Sequence, residues 1–380
     1  MSGSTTIADV EVLILDSGVE YGQPCGEDGE RAGPRHICLI RVTTEDGLAG
    51  YADVDSHPWV VKSIVEARPH IPDFCSGLRD AVVGMSASDP LSAWQAMYQA
   101  SWYHGRRGAA MHAISGIDIA IWDLAGKLAS CSVADLLGGR RRESVRAYAS
   151  TLFRSDPEEM RAAVRNYRDR GFTAMKFGWG SWGDDPERDR DLFAAAREEA
   201  GPDVDLMVDG YLGDDVVAKV KALEPLAPYW VEEALPADRP DELAALGRST
   251  SLRIASGEQL GGVSEFAELL REDGVSVVQP DLSRCGGFTA LREIAALARA
   301  KDCLVVPHSW SSHLLTAATL QAVAWLDPEP LIEVSTTATG LVSELAPLDL
   351  ALSEGRVSVP TAPGLGVEVD PAAIERYRVA

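Results

Sequence analysis

Paired cysteines, a basic surface and a long apolar run are all missing from this sequence of 380 residues. The six cysteines (Cys25, Cys38, Cys75, Cys131, Cys285 and Cys303) are scattered and form no Cys-x-x-Cys spacing. That argues against a structural zinc site and a disulfide framework, and for reduced thiols in a cytoplasmic protein. Lysine and arginine number 35 against 58 aspartates and glutamates, a formal net charge of −23. Nucleic acid and anionic membranes both need a basic surface, so neither is an expected partner. No uncharged run reaches the length of a membrane span, and the opening MSGSTTIADVEVLILD has no basic stretch ahead of its apolar run. No transmembrane helix and no signal peptide are therefore expected. A small anionic substrate would have to be held by local cations or a metal, against the overall field.

The length allows two domains and a large core. The first segment alternates, as VEVLILDSG and then HICLIRVTTEDGLAGYADV, with turn signals such as EDG between runs rich in Ile, Val and Leu. This pattern predicts a meander of antiparallel strands. Between the runs lies YGQPCGEDGERAGPR, a Gly-rich and charged loop. Residues 58–137 read as helices, and AAMHAISGIDIAIWDLAGKLA is apolar almost all round, so it should be buried.

From about residue 144 the texture changes. Short β-branched runs (VRAYAST, TAMKFG, DLMVDG, YWVEEA, RIASGE, VSVVQPD, CLVVPH, LIEVS) alternate with amphipathic helices such as PEEMRAAVRNYRDRG and TALREIAALARAKD. Repeated strand–helix units mean parallel strands with crossover helices, and eight of them over this length fit a (β/α)8-type barrel. The domains expected are residues 1–135, an α+β capping domain; 136–340, the barrel; and 341–380, a tail returning to the capping domain.

The strand ends carry the polar residues. Asp209 ends LMVD, Glu232 ends YWVE and Glu258 ends IASGE, on the third, fourth and fifth barrel strands. Neighbouring strand ends converge on one mouth of such a barrel, where active sites lie. Any one of these acids could equally be a solvated strand-end residue, but three at matching positions would repel one another unless a cation sat between them. An all-oxygen set suits Mg²⁺. The next two strands end in Asp281 and His308. An aspartate beside a histidine fixes its tautomer and raises its basicity, which makes His308 the candidate base. His313, five residues on, ranks second because it should fall in the following loop or helix start. Glu333 ends the eighth strand. In an anionic mouth its pKa should rise, so that it could donate a hydrogen bond to an oxyanion.

Together these residues resemble the enolase superfamily, and within it the mandelate racemase subgroup. AISGIDIAIWDLAGKLASCSVADLLGG, residues 113–139, is similar to that family's long helical signature leading into the barrel. The resemblance covers nearly the whole chain. It implies an α/β fold, a modified (β/α)7β TIM-type barrel closed by an α+β capping domain made from both chain ends. It implies Mg²⁺ held by Asp209, Glu232 and Glu258 and bound to a substrate carboxylate, a base that removes the α-proton, and Glu333 and the metal stabilising the enediolate. A homo-oligomer is also expected.

Two departures from the family pattern bear on the activity. Many members carry lysine, any residue, lysine on the second strand; here Lys176 and Phe177 are followed by Gly178. Other relatives place a lysine near the end of the sixth strand; here that region reads PDLSRCGG. One strong base, His308, therefore stands on one face of the substrate. A racemase needs a partner on each face, so the pattern favours β-elimination of water from an acid sugar, an aldonate or aldarate, to give a 2-keto-3-deoxy acid. The alternatives are a racemase or epimerase of a 2-hydroxy acid that uses Lys176 opposite His308, and a metal-binding barrel that no longer turns over. Lys176 reads as a fixed cation beside the substrate carboxylate. Further substrate contacts are expected from the loop 17–35 and from Trp179, Trp182, Tyr211 and Trp310, each of which could equally serve packing.

Overall fold

The alternating run near the start of the chain forms strand β1 (Ile7–Asp16), which pairs antiparallel with β2 (His36–Thr44), and β2 pairs antiparallel with β3 (Ala49–Val54). The EDG turn between β2 and β3 closes through Gly47, whose φ of 83° costs a glycine little. This computed structural model describes residues 4–23, 25, 31–71, 74–180, 182–183, 185–336 and 339–379.

The helix Ala109–Ala129 packs across the meander and is buried over most of its length. It can approach closely because Gly116 faces β3: a Cβ there would fall 2.3 Å from Val54 Cγ2. Among the described residues no helix is long and apolar enough to cross a membrane.

The eight strands expected of the second region are all present. They are β4 (Ser144–Leu152), β5 (Ala174–Gly178), β6 (Asp205–Asp209), β7 (Val231–Glu232), β8 (Ile254–Ser256), β9 (Val275–Val278), β10 (Leu304–Val305) and β11 (Ile332–Ser335). They pair in parallel in the order β10-β9-β8-β7-β6-β5-β4-β11. Between β10 and β11 no backbone ladder forms among the described residues. The seam is crossed instead by a bond from the Ser309 N–H to Glu333 Oε2, at 2.7 Å.

The tail divides its attachments. Strand β12 (Arg356–Ser358) runs antiparallel along β4, so its middle belongs to the barrel. Further on it returns to the capping domain twice: the Leu365 N–H donates to Asp123 Oδ1 at 2.9 Å, and the Val379 N–H donates to the Ile14 carbonyl at 2.9 Å.

The barrel interior is built in two layers that differ by one pleat. The lower layer is apolar: Tyr148, Ala174, Met207, Trp230, Ala255, Val277, Val306 and Leu331 form one buried cluster. Two residues further along each strand path come Ser150, Lys176, Asp209, Glu232, Gly257, Gln279, His308 and Glu333. Strand side chains repeat every second residue, so both sets point the same way. The apolar layer is a floor, and the polar layer above it lines the mouth.

Buried acids of the first domain dock it on the barrel. Asp53 accepts the Ser312 N–H at 3.0 Å and the Ser312 hydroxyl at 2.7 Å, at the start of the helix His313–Trp325. Asp118 accepts the Thr289 N–H at 3.1 Å and its hydroxyl at 2.6 Å, in the first turn of the helix Gly287–Ala300. Carboxylates at helix N-termini satisfy amides that have no partner within the helix.

Candidate active site

Asp209 and Glu232 close β6 and β7 and sit side by side in register. Glu258 lies two residues past the end of β8, in a turn held by a residue that sequence reasoning passed over. Glu233, at φ 49°, accepts the Ser256 hydroxyl at 2.7 Å, the Gly257 N–H at 3.1 Å and the Gln259 amide at 2.9 Å. One oxygen from each of Asp209, Glu232 and Glu258 lies within 4.8 Å of the others. Burial pushes Asp209 up to about 7 and Glu232 up to about 8, reinforced by the neighbouring acids. Asp209 Oδ1 is buried without a hydrogen-bond partner. An all-carboxylate set with a spare buried oxygen and mutual repulsion fits a divalent cation.

Lys176 is buried among the acids. Its Nζ lies 2.5 Å from Glu232 Oε1, 3.1 Å from Asp209 Oδ2 and 3.0 Å from Glu333 Oε1. Burial works against its charge, but Asp209, Glu232 and Glu333 outweigh burial and hold its pKa well above the usual lysine value. Two residues on, a Cβ at Gly178 would fall 2.9 Å from Asp209 Cβ. As folded, there is no room at 178 for a second side chain.

His308 stands opposite, three residues past the end of β10. Its Nδ1 is 2.7 Å from Asp281 Oδ2 and its Nε2 is 3.4 Å from Glu258 Oε2. Burial disfavours the imidazolium, yet Glu258, Glu333 and Asp281 lift its pKa to about 10. His313 begins the following helix and is absent from the cavity wall.

Glu333 corrects one expectation. The expectation is that the anionic mouth raises its pKa; burial does push its carboxyl up, but Lys176, His308 and the bonds from Ser150 and Ser309 pull it down to about 2. It is a carboxylate that accepts hydrogen bonds here, and it donates none. The reason is the ammonium on β5, which sequence reading did not place against it.

These groups open into a cavity of about 210 Å³ whose wall includes Lys176, Asp209, Glu258, His308 and Glu333. Trp179 and Trp310 also line it, and so do Tyr21 and Pro34 from the loop 17–35. Residues 24 and 26–30 of that loop lie outside the described residues. Two expected contacts fall elsewhere. Tyr211 is exposed and off the wall. Trp182 is buried and stacks on Phe153, with ring centroids 4.3 Å apart, so it serves packing.

Asp55 and Arg284 also line the cavity, and sequence reasoning named neither. Asp55, Asp281 and His308 gather closely enough to suggest a second cation site. The Arg284 guanidinium already supplies that positive charge, through a bond from Nη2 to Asp55 Oδ2 and with Nε 4.0 Å from Asp281.

Two family models match the chain: the mandelate racemase / muconate lactonizing enzyme N-terminal domain over residues 11–138, and the enolase C-terminal domain-like model over residues 159–373. The chain belongs to the enolase superfamily and, within it, to the mandelate racemase/muconate lactonizing enzyme family. A D-galactonate dehydratase from Ralstonia pickettii is 33% identical over 91% of this chain and 92% of its own length. A D-galactarolactone cycloisomerase from Agrobacterium fabrum is 31% identical over 90% of this chain and 91% of its own. A solved 3,6-anhydro-D-galactonate cycloisomerase from Zobellia galactanivorans shares 29% identity and a TM-score of 0.86, covering 99% of this chain and 100% of that one.

Proposed function

We propose that this protein is a Mg²⁺-dependent acid-sugar dehydratase acting on an aldonate or aldarate. The observation that carries the reading is the one-sided site. Among the described residues His308, backed by Asp281, is the one histidine on the cavity wall, Gly178 as folded leaves no room for a second base, and Lys176 is held protonated by three acids. Asp209, Glu232 and Glu258 would hold the cation. When bound, it would supply positive charge to the substrate carboxylate and to the enediolate, and would offset the anionic field that keeps His308 protonated.

The chain's own groups account for the remaining steps. Lys176 binds and polarises a carboxylate oxygen. Asp281 keeps the His308 Nδ1–H pointed at itself, which leaves Nε2 to take the proton α to the carboxylate. The 3-hydroxyl then departs as water, protonated from His308 in a syn elimination. The resulting enol tautomerises to a 2-keto-3-deoxy acid. Trp179, Trp310 and Tyr21 line the space for the rest of the sugar.

The two cycloisomerases among the relatives favour a second reading. If the β-oxygen belongs to a lactone or anhydro ring, the same step opens the ring without losing water. A racemase would need Lys176 to accept a proton, which its three ion pairs oppose. Incubation with a panel of aldonates, aldarates, their lactones and anhydro sugars separates the cases. A 2-keto-3-deoxy acid from an open-chain substrate supports the dehydratase. Ring opening alone supports the cycloisomerase, and α-proton exchange with no keto acid overturns both.

A further inference from the structure

The polarity of one hydrogen-bond chain at the domain boundary is fully determined. A backbone N–H can only donate, and the Asp55 N–H, at the end of the first-domain sheet, donates to Ser283 Oγ at 3.1 Å. The Ser283 hydroxyl is left to donate its single proton, and Asp281 Oδ1 receives it at 2.6 Å. The Ser283 N–H reaches the same oxygen at 2.7 Å. With Oδ1 doubly bonded, Oδ2 is turned to His308 Nδ1 at 2.7 Å. The contact across the boundary is reinforced by Arg284, whose Nε donates to the Asp55 carbonyl at 2.9 Å and whose Nη1 donates to the Glu258 carbonyl at 3.2 Å. Asp281, Ser283 and His308 are all buried.

We propose that Ser283 is a positioning residue for His308: its hydroxyl, oriented by the Asp55 peptide of the capping domain, fixes the Asp281 carboxylate so that His308 presents Nε2 to the cavity. Seating of the capping domain is thereby transmitted to the tautomer of a side chain on the barrel, 253 residues further along the chain than Asp55. Partners one shell out from a working group usually act in this way, by orienting it. The proposal rests on the reading of His308 as the base.

The test is ¹H–¹⁵N NMR of the full chain labelled at histidine, read without substrate. Wild type should show one far-downfield Nδ1–H resonance, assigned by its loss in His308→Asn. Ser283→Ala should move that resonance upfield and speed its exchange with water in a protein that stays folded. Ser283→Thr, which keeps the hydroxyl, should restore it, and Ser283→Cys, a poorer donor, should fall between. With a turned-over substrate, Ser283→Ala should lower kcat by roughly 10–100-fold with little change in KM, and Ser283→Thr should recover most of it. The proposal is overturned if wild type has no such resonance, if Ser283→Ala leaves its position and exchange unchanged, or if a folded Ser283→Thr behaves as Ser283→Ala does. A resonance that responds as expected in a protein that eliminates no β-oxygen overturns the functional reading and leaves the positioning role standing.

Discussion

Lys176 Nζ and Glu232 Oε1 lie 2.5 Å apart at the centre of the barrel mouth, with both side chains out of water. Around them stand Asp209 and Glu333, so one ammonium balances three acids. A buried cation of this kind can hold a crowded anionic site together and also serve a bound carboxylate.

Removing that cation should therefore be felt before any substrate is added. Lys176→Met should destabilise EDTA-treated protein by about 3–5 kcal/mol, the usual result of breaking a buried ion pair. Added Mg²⁺ should recover part of the loss. Denaturant melts with and without Mg²⁺ measure both effects, and a variant as stable as wild type in EDTA would show that the ion pairs carry no weight.

The metal assignment predicts a binding signature that needs no substrate. Mg²⁺ at a hundred times its dissociation constant should stabilise the wild-type fold by about 2.7 kcal/mol. Glu232→Gln should remain folded and lose most of that gain. Full turnover after exhaustive chelation would remove Mg²⁺ from the account.

Proton transfer is assigned to one side of the substrate. His308→Asn should lower turnover by roughly 10²–10⁴ and abolish exchange of the α-proton in D₂O. Asp281→Asn should also lower turnover, by releasing the ring that it orients. Lys176→Met should keep some exchange while weakening binding and rate together. His313→Asn should be mild, because His313 stays off the cavity wall. Near wild-type exchange in His308→Asn, with none in Lys176→Met, would reverse the roles of the two residues.

Domain docking predicts a pH dependence. Burial pushes Asp118 up to about 7, against the bonds from Thr289. In the unfolded chain the same group titrates near 3.8. Between those values the folded state keeps a proton that the unfolded chain has released. Its contribution to stability therefore falls as pH rises through that window and is flat above it. The difference in unfolding free energy between wild type and Asp118→Asn, measured from pH 4 to 8, should carry that slope. A difference independent of pH would mean that Asp118 is ionised throughout.

The eight parallel strands, the first-domain meander and the long buried helix were legible because each is written in local periodicity. The acids at the strand ends were legible for the same reason. An inward-facing position recurs every second residue, so the position of Trp230 in the apolar floor already implies Glu232, and not Glu233, at the mouth. The family resemblance rested on the same strand ends and on the helical run 113–139, and the two family models that match the chain bear it out.

What sequence reading missed depended on contacts between distant segments. Tyr211 and Trp182 are aromatics near strand ends, as the contacts sought were, yet one is exposed and the other stacks on Phe153. Asp55 meets Ser283 and Arg284 across more than two hundred residues, and no local pattern announces such a bond. The charge of Glu333 shows the division most clearly. By itself the sequence determined that a glutamate ends the last strand at an acidic mouth, because strand periodicity is a property of the local chain. Only the tertiary structure decided that this glutamate is ionised, because its pKa depends on the Lys176 ammonium 3.0 Å away on β5, and Coulomb interactions follow distance in space and not separation along the chain.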